Sequence, residues 1–542
     1  MRPGMIVAAS QRSKGTGTRV NKLTSNLDAL DAAEPYDACI IGSGMAGSVL
    51  GTRLAHKGLR VLMLESGNSL LNWLSDARLK RLAEYEFTGD TNYPLTRTTG
   101  RLVGGNSNFW TGRAERFQPS DFVPHPYTPA DNPWPIRFWE LEPYYERAEQ
   151  TLRVRGGELS KYMPPRRAPL PHPPRPDITD LKRLLARCGV VVDDSPTATP
   201  ARSVRFFKMH REVLPEFVKA PSGTLVSGVT VTRLPTDTTG RVTGATCRTF
   251  DGVERTARAR VFINACGGIQ SPRLLLLSKS QRFQHGIGND HDRVGRGFNE
   301  HAGVNIYAKI PHNRHTLYPR HKIGRTHQFY ERFRPEGLGS IHPVFIQSYL
   351  FPHHLIAYKL ADVPRHIGKI LSRAVKATIY IGCQIEMKPV DDNRVTLSSS
   401  RTDPFGDPIA HLIFNYTDED RRLIEKVRAL LHGWFDTLGA VDRDEIDVTW
   451  ARHHAGTCRM GDDPATSVCD ANLRVHDCPN LYLAGSEVFP TGTGLPPALT
   501  IVAFAHRLGD HLVERLASPD AGFAAARPVA ARSAAEHAVA QT

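Results

Sequence analysis

The stretch "YDACIIGSGMAGSVLGTRLAHKGLRVLMLESG", residues 36–67, decides the fold. A short apolar run, Ala38 to Ile41, enters Gly42-Ser43-Gly44-Met45-Ala46-Gly47. A helical pattern follows, with Val49, Leu50 and Leu54 on one face, and stops at Gly58; a second apolar run, Arg60 to Leu64, closes on Glu65. Strand, glycine turn, helix and strand in that order open a doubly wound parallel sheet. Gly42 suits the tight turn, Gly44 lets the backbone approach a pyrophosphate, and Gly47 lets the helix pack closely on the sheet. The helix N-terminus offers unpaired N–H groups to phosphate. Glu65, 23 residues beyond Gly42, is placed to accept hydrogen bonds from a ribose diol. Glycines alone would be weak evidence. Here all the elements fall in place, so residues 42–47 with Glu65 and Ser66 are read as a dinucleotide site, although the motif does not separate FAD from NAD.

At 542 residues the chain exceeds a single core, and two domains are expected. No apolar run approaches the roughly 18–20 residues needed to cross a bilayer, and the N-terminus has too short an apolar segment for a secretory signal. A cytoplasmic protein is the expectation. The eight cysteines contain no CxxC pair, which argues against a zinc ribbon or a dithiol redox site. They are read as reduced packing residues, with Cys469 and Cys478 close enough in sequence to leave a bridge conceivable, and no metal is expected. The formal charge of +14 is read as a basic surface, because no basic helix or aromatic-basic module of a nucleic-acid binder is present. Residues 311–334, "PHNRHTLYPRHKIGRTHQFYERFR", are dense in His and Arg; a solvated loop is expected there, contact with an anionic substrate or an electron acceptor being the alternative. Residues 1–34 and 517–542 read as a disordered N-terminal tail and a flexible Ala-rich C-terminal tail.

Several further segments share one likeness. "GRLVGGNSNFWTGRAERF" (100–117), "DNPWPIRFWELEPYYERAEQTLRVRGG" (131–157), "ARVFINACGGIQSPRLLLLS" (259–278), "DRVGRGFNEH" (292–301) and the block from "HHAGTCRMG" (453–461) to "NLYLAGSEVFPTGTGLPPALTIVAFAHRLGDHL" (480–512) stand in order along the chain. Together they resemble the glucose-methanol-choline (GMC) family of FAD-dependent oxidoreductases, most closely the branch of pyranose oxidases and the large subunits of gluconate and fructose dehydrogenases. The resemblance implies an α/β fold of the glutathione-reductase-like superfamily. A Rossmann-like FAD-binding domain (35–124, 221–300 and 450–516) would be interleaved with a sheet-based substrate-binding domain (125–220 and 301–449). It further implies that Arg101, Gly104, Gly105, Asn106 and Ser107 line the flavin and its diphosphate, that Val231 meets the adenine through its backbone, and that Ala265 and Gly267 flank the ADP part. Gly485 and Ser486, with Pro497, Ala498 and Leu499 at the start of a C-terminal helix, complete that cofactor set. Where pyranose oxidases carry the histidine bonded to the flavin, this chain has Phe109, so FAD is expected without a covalent link.

"WARHHAGTCRMG", residues 450–461, holds adjacent histidines. Alcohol oxidation requires the hydroxyl proton to be removed as hydride leaves carbon, and neutral imidazole, with an ordinary pKa near 6.5, suits that task. In an extended segment neighbouring side chains point to opposite faces, so one histidine faces the ring squarely and the other is a neighbour. The family's HxxGT pattern places the base at His453, with hydride passing to flavin N5, and leaves His454 secondary. The second member of the family's pair is Asn or His; here Pro496 stands in that position and offers no donor. That hydrogen bond falls to His454, a side chain of the middle region, or water. The resulting expectation is oxidation of a hydroxyl on a sugar, glycoside, sugar acid or polyol, with the electron acceptor open among dioxygen, a quinone and a protein carrier. The alternatives are a redox-silent lyase on the same scaffold and a non-catalytic flavin-binding protein.

Overall fold

Strands apolar on both faces form sheets that must be covered on both sides, and the first sheet is of this kind. The computed structural model describes residues 27–90, 99–156, 160–171, 178–199, 207–310, 322–347, 379–447 and 452–517. Its parallel sheet has the order Leu481–Leu483, Ala259–Asn264, Tyr36–Ile41, Val61–Glu65, Gly223–Ser227. Every residue of Val61–Glu65 is buried, as are all but one of Tyr36–Ile41. From Tyr36–Ile41 the sheet extends outward through Val61–Glu65 and then Gly223–Ser227, and the chain later returns to build on the opposite side with Ala259–Asn264. The winding reverses between those two strands, where Ile41 pairs with Asn264. A crevice opens beyond the carboxyl ends of parallel strands at such a reversal, and here it lies between Gly42 and Ala265.

The helix Met45–His56 packs against the C-terminal helix Ala498–Ala517, which also packs against Phe138–Thr151. Leu499, Val502, Ala503, His506 and Leu512, at helical spacings in the sequence, are all buried. Phe138, Leu141 and Tyr145 join the same core as the parallel sheet, so the segment 125–220 contributes to the nucleotide side of the molecule.

A second, antiparallel sheet has the order Val441–Asp447, His301–Lys309, Ile379–Glu386, Ile341–Gln347, Lys322–Arg325, Asp193–Asp194. The helix Asp418–Thr437 packs on it, burying Leu423, Val427, Leu431, Trp434 and Phe435 at three- and four-residue spacings. Its start is closed by a reciprocal cap between Thr417 and Asp420. A smaller sheet ties the two halves together, because Pro408–Phe414 pairs in parallel with Tyr85–Gly89.

Two expectations are corrected here. All eight cysteines are free thiols, so Cys469 and Cys478 form no bridge. The basic segment 311–334 is not a solvated loop where it is described: Lys322–Arg325 is a strand, Arg325 is only 3% exposed, and Arg334 pairs with the buried Asp121 at 2.6 Å. Ile323 and its neighbours are committed to strand pairing, which brings Arg325 inside; residues 311–321 lie outside the described residues, as do residues 1–26 and 518–542 of the two expected tails. Among the described residues no helix is long and apolar enough to cross a membrane.

Leu512 is fully buried within the larger core. Leu512→Ala should therefore cost about 2–5 kcal/mol in chemical denaturation, and Leu512→Met less than about 1.5 kcal/mol.

Candidate active site

The crevice at the winding reversal deepens into a cavity of about 720 Å³ that reaches the second sheet. At its nucleotide end, Gly42 has φ +103°, and a Cβ there would meet the Ala265 carbonyl oxygen at 2.7 Å, so only glycine passes between the two strands. Gly44 faces open space, with nothing within 4 Å of where a Cβ would stand. The first helix has no side-chain cap, which leaves its leading N–H groups available to an anion. Gly267–Leu277 and Ala498–Ala517 also begin at the cavity wall, with Gly267, Gly268, Pro497 and Ala498 bordering it. Three helix N-termini thus converge on one space, which favours negative charge there.

Glu65 borders the cavity and is 7% exposed. Its carboxylate accepts hydrogen bonds from Ser43 N at 3.1 Å, Ser43 Oγ at 2.7 Å and Gly67 N at 3.1 Å. Burial raises its pKa while those bonds favour the charged form. A carboxylate has about four acceptor sites, so one remains for a hydroxyl. Clear space at Gly44, an open helix start and an acid with residual acceptor capacity fit a dinucleotide.

Of the residues expected to hold it, Ser43, Met45, Ala46, Ser66, Arg101, Gly105, Asn106, Ser107, Val231, Ala265, Gly485 and Ser486 also border the cavity. Gly47, Gly104 and Leu499 do not. Gly104 and Leu499 are corrected to supports behind the wall, where Gly104 N donates to Ser43 Oγ at 3.1 Å and Leu499 is fully buried in the core; Gly47 stands there in the close-packing role expected of it, since a Cβ on it would strike the Gly42 carbonyl oxygen at 2.0 Å. Phe109 borders the cavity beneath the Arg452 guanidinium, 5.6 Å from its ring centre.

At the far end the second sheet forms the wall. His301, Gly303, Asn305 and Tyr307 alternate along one strand and all face the cavity, as period-two geometry requires. Register extends the surface sideways: Tyr307, Tyr380, Ile346 and Ile323 form one row across the sheet, and Asn305, Gly382, Val344 and Arg325 the next. None of these residues was singled out from the sequence. The alternation His-x-Gly-x-Asn-x-Tyr at 301–307 was the available signal.

The paired histidines enter from the opposite side. Asn299 and Ala455 exchange backbone hydrogen bonds of 3.1 and 3.0 Å, laying the 452–457 segment along the start of the strand His301–Lys309. The buried Glu300 carboxylate sits at this junction. It accepts from His301 N at 2.9 Å and from His453 N, at 2.9 Å to each oxygen, and lies 3.5 Å from His454 Nε2. Burial holds the His454 pKa down to about 3, with Arg452 adding to the effect, so the Glu300 contact is a neutral N–H···O approach. His454 packs toward Phe298, ring centres 5.8 Å apart. Both histidines border the cavity, but His453 alone meets another imidazole: its Nδ1 lies 3.4 Å from His301 Nδ1, with the rings edge to face. Burial pushes the pKa of His453 well below the ordinary range, helped by His301 and Arg113, and burial with Arg113 brings His301 to about 3. Both rings are neutral at physiological pH. Pro496 borders the same space and brings no donor.

Comparison with known proteins gives this geometry its family. Residues 193–303 and 389–505 match two GMC oxidoreductase domains, and residues 40–91 match an NAD(P)-binding Rossmann-like domain. Paromamine 6'-oxidase of Streptomyces fradiae is 30% identical over 89% of this chain and 92% of its own length. The chain belongs to the GMC oxidoreductase family. The fructose dehydrogenase large subunit of Gluconobacter japonicus is 25% identical over 89% of this chain and 98% of its own. The crystal structure of pyridoxine 4-oxidase from Mesorbium loti shares the fold, with a TM-score of 0.61 at 21% identity over 88% of this chain and 99% of that one. This GMC oxidoreductase is an FAD-dependent enzyme acting on CH–OH donors.

Glu300→Ala strands two buried N–H groups, those of His301 and His453, and should cost about 2–5 kcal/mol of stability by thermal or chemical denaturation. Glu300→Gln, which keeps one acceptor oxygen, should cost less.

Proposed function

We propose that this GMC oxidoreductase oxidises a hydroxyl group of a sugar, glycoside, sugar acid or polyol, with His453 as base and His301 as the hydrogen-bond donor to the reacting oxygen. The observation that carries the reading is the 3.4 Å contact between the two Nδ1 atoms at the cavity wall. One hydrogen cannot be donated by both nitrogens, so the contact imposes opposite tautomers on the two rings. With the proton on His453 Nδ1, its Nε2 carries the lone pair a base needs. His301 then accepts at Nδ1 and presents an Nε2–H donor. Among the described residues no protein group occupies either Nε2. One hydrogen bond thus divides the two tasks, and the donor absent at Pro496 is supplied from the strand His301–Lys309.

Bound FAD supplies the acceptor for the hydride that leaves the substrate carbon. His453 takes the hydroxyl proton as that C–H bond breaks, and His301 stabilises the charge growing on oxygen until the carbonyl forms. Such a donor in a dry site contributes on the order of a hundredfold in rate. The likeness to a paromamine oxidase and a fructose dehydrogenase supports a carbohydrate-like substrate. Phe109 provides no nucleophile toward a flavin ring, which supports non-covalent FAD, held by residues 42–46, Glu65, Arg101 and the 105–107 turn.

Anaerobic mixing of the holoenzyme with a panel of sugars, polyols and sugar acids should bleach the flavin absorption. His453→Ala should slow bleaching by about 10²–10⁴-fold, and His301→Ala should lower kcat with little loss of FAD. A panel that never bleaches the flavin would instead favour a redox-silent reaction. Because both imidazoles are held neutral by burial, the rate should show no histidine ionisation between about pH 6 and 8. Denaturation in acid should release all the yellow colour into the supernatant; colour that stays with the precipitate would refute non-covalent binding.

A further inference from the structure

We propose that the substrate carries a carboxylate, which pairs with Arg113 while its reacting hydroxyl lies between His453 and His301; this rests on the oxidation reading above and names its substrate class as sugar acids.

Five basic side chains border the cavity: Arg101, Arg113, Lys208, Arg325 and Arg452. Among the described lining residues the one carboxylate is Glu65, at the nucleotide end. Four of the cations are engaged. Arg101 donates to the Leu82 carbonyl at 3.1 Å and approaches Ser66 at 3.4 Å; Lys208 donates to the Asn108 and Trp110 carbonyls at 2.8 and 3.3 Å; Arg325 pairs with Glu115; and Arg452 lies over Phe109.

Arg113 differs from them. Its Nε and Nη2 have neither solvent nor a hydrogen-bond partner, and no described carboxylate pairs with it. The groups that favour its charge are the Tyr380 phenol and the Cys383 thiol, and both are neutral at physiological pH because burial pushes their pKa values up, that of Tyr380 to about 12. Burial lowers Arg113 itself to about 10, which still leaves it charged.

A guanidinium with two of its nitrogens shut off from water and without a partner among the described residues is costly unless an anion arrives to meet it, and a carboxylate meets it through short charge-assisted hydrogen bonds. The position is right for a substrate: Arg113, His301 and His453 line the same cavity, and after burial Arg113 contributes to lowering the proton affinity of both imidazoles. Neutral imidazoles cannot compensate it. Tyr380 donates to Asn305, and both border the cavity, offering polar contacts to the remaining hydroxyls of a sugar ring. An amino sugar would bring a second positive charge to the same end.

The test compares glucose, glucosamine, glucose 6-phosphate, gluconate and glucuronate as reductants of the anaerobic holoenzyme, alongside calorimetric titration of glucuronate into wild type, Arg113→Gln and Arg113→Lys. The acids should reach half-maximal bleaching at concentrations about tenfold or more below glucose, with glucosamine worse than glucose. Arg113→Gln should abolish that preference and the heat of glucuronate binding, while Arg113→Lys retains part of both. Equal use of glucose and glucuronate by wild type overturns the proposal, as does glucuronate binding undiminished in Arg113→Gln, and a preference for the phosphate over both acids overturns the carboxylate assignment. If Arg113→Gln does not fold, the wild-type ranking decides. If no compound bleaches the flavin, the oxidation reading fails and the titration decides the anion site by itself: heat present in wild type and absent in Arg113→Gln supports it, and no heat in wild type overturns it.

Discussion

The reacting end of this molecule depends on one buried carboxylate. Glu300, 2% exposed, accepts the backbone N–H groups of His301 and His453 and approaches the His454 imidazole. A charge buried this deeply persists only where donors surround it, and the donors here come from two segments far apart in the chain. By satisfying itself, Glu300 fixes the start of a sheet strand against the C-terminal block. The 3.4 Å contact between His301 and His453, separated by 152 positions, follows from that clamp. The paired backbone hydrogen bonds between Asn299 and Ala455 hold the same junction from the main chain.

The cavity is polarised along its length. Near Gly42 and Gly267, helix starts and backbone N–H groups are turned inward, where a diphosphate is neutralised by dipoles as well as by side chains. Toward the antiparallel sheet Arg113 and Arg325 border the cavity, and burial, with Arg113 adding to it, keeps His301 and His453 neutral. The two ends thereby share a sign, which at one end suits the phosphates of a dinucleotide and at the other, as proposed, a substrate anion.

Much of the nucleotide side was legible in the residues themselves. A glycine turn between two apolar runs carries its geometry locally, so Gly42, Gly44, Gly47 and Glu65 could be assigned distinct physical tasks, Gly47's being the close packing behind the wall. The buried face of the helix Ala498–Ala517 was equally readable, because Leu499, Val502, Ala503, His506 and Leu512 follow its turn. The substrate side was harder. His301, Asn305, Tyr307, Tyr380 and Arg325 reach one surface by strand register, which no local pattern encodes, and an His/Arg-rich stretch read as solvated proved in part to be a buried strand. Its arginines found carboxylates, Glu115 and Asp121, contributed from distant segments.

The dinucleotide cradle and the adjacent histidines at 453 and 454 were readable from residue type and short spacing, and the family resemblance added the expectation that Pro496 stands where a donor is usual. Tertiary structure alone decided which imidazole stands beside which, that Glu300 binds the two segments, and that no described carboxylate pairs with Arg113. The physical reason is range: turns and helix faces are set by interactions within a few residues, whereas the protonation and pairing of buried groups depend on whatever the fold brings within a few ångströms.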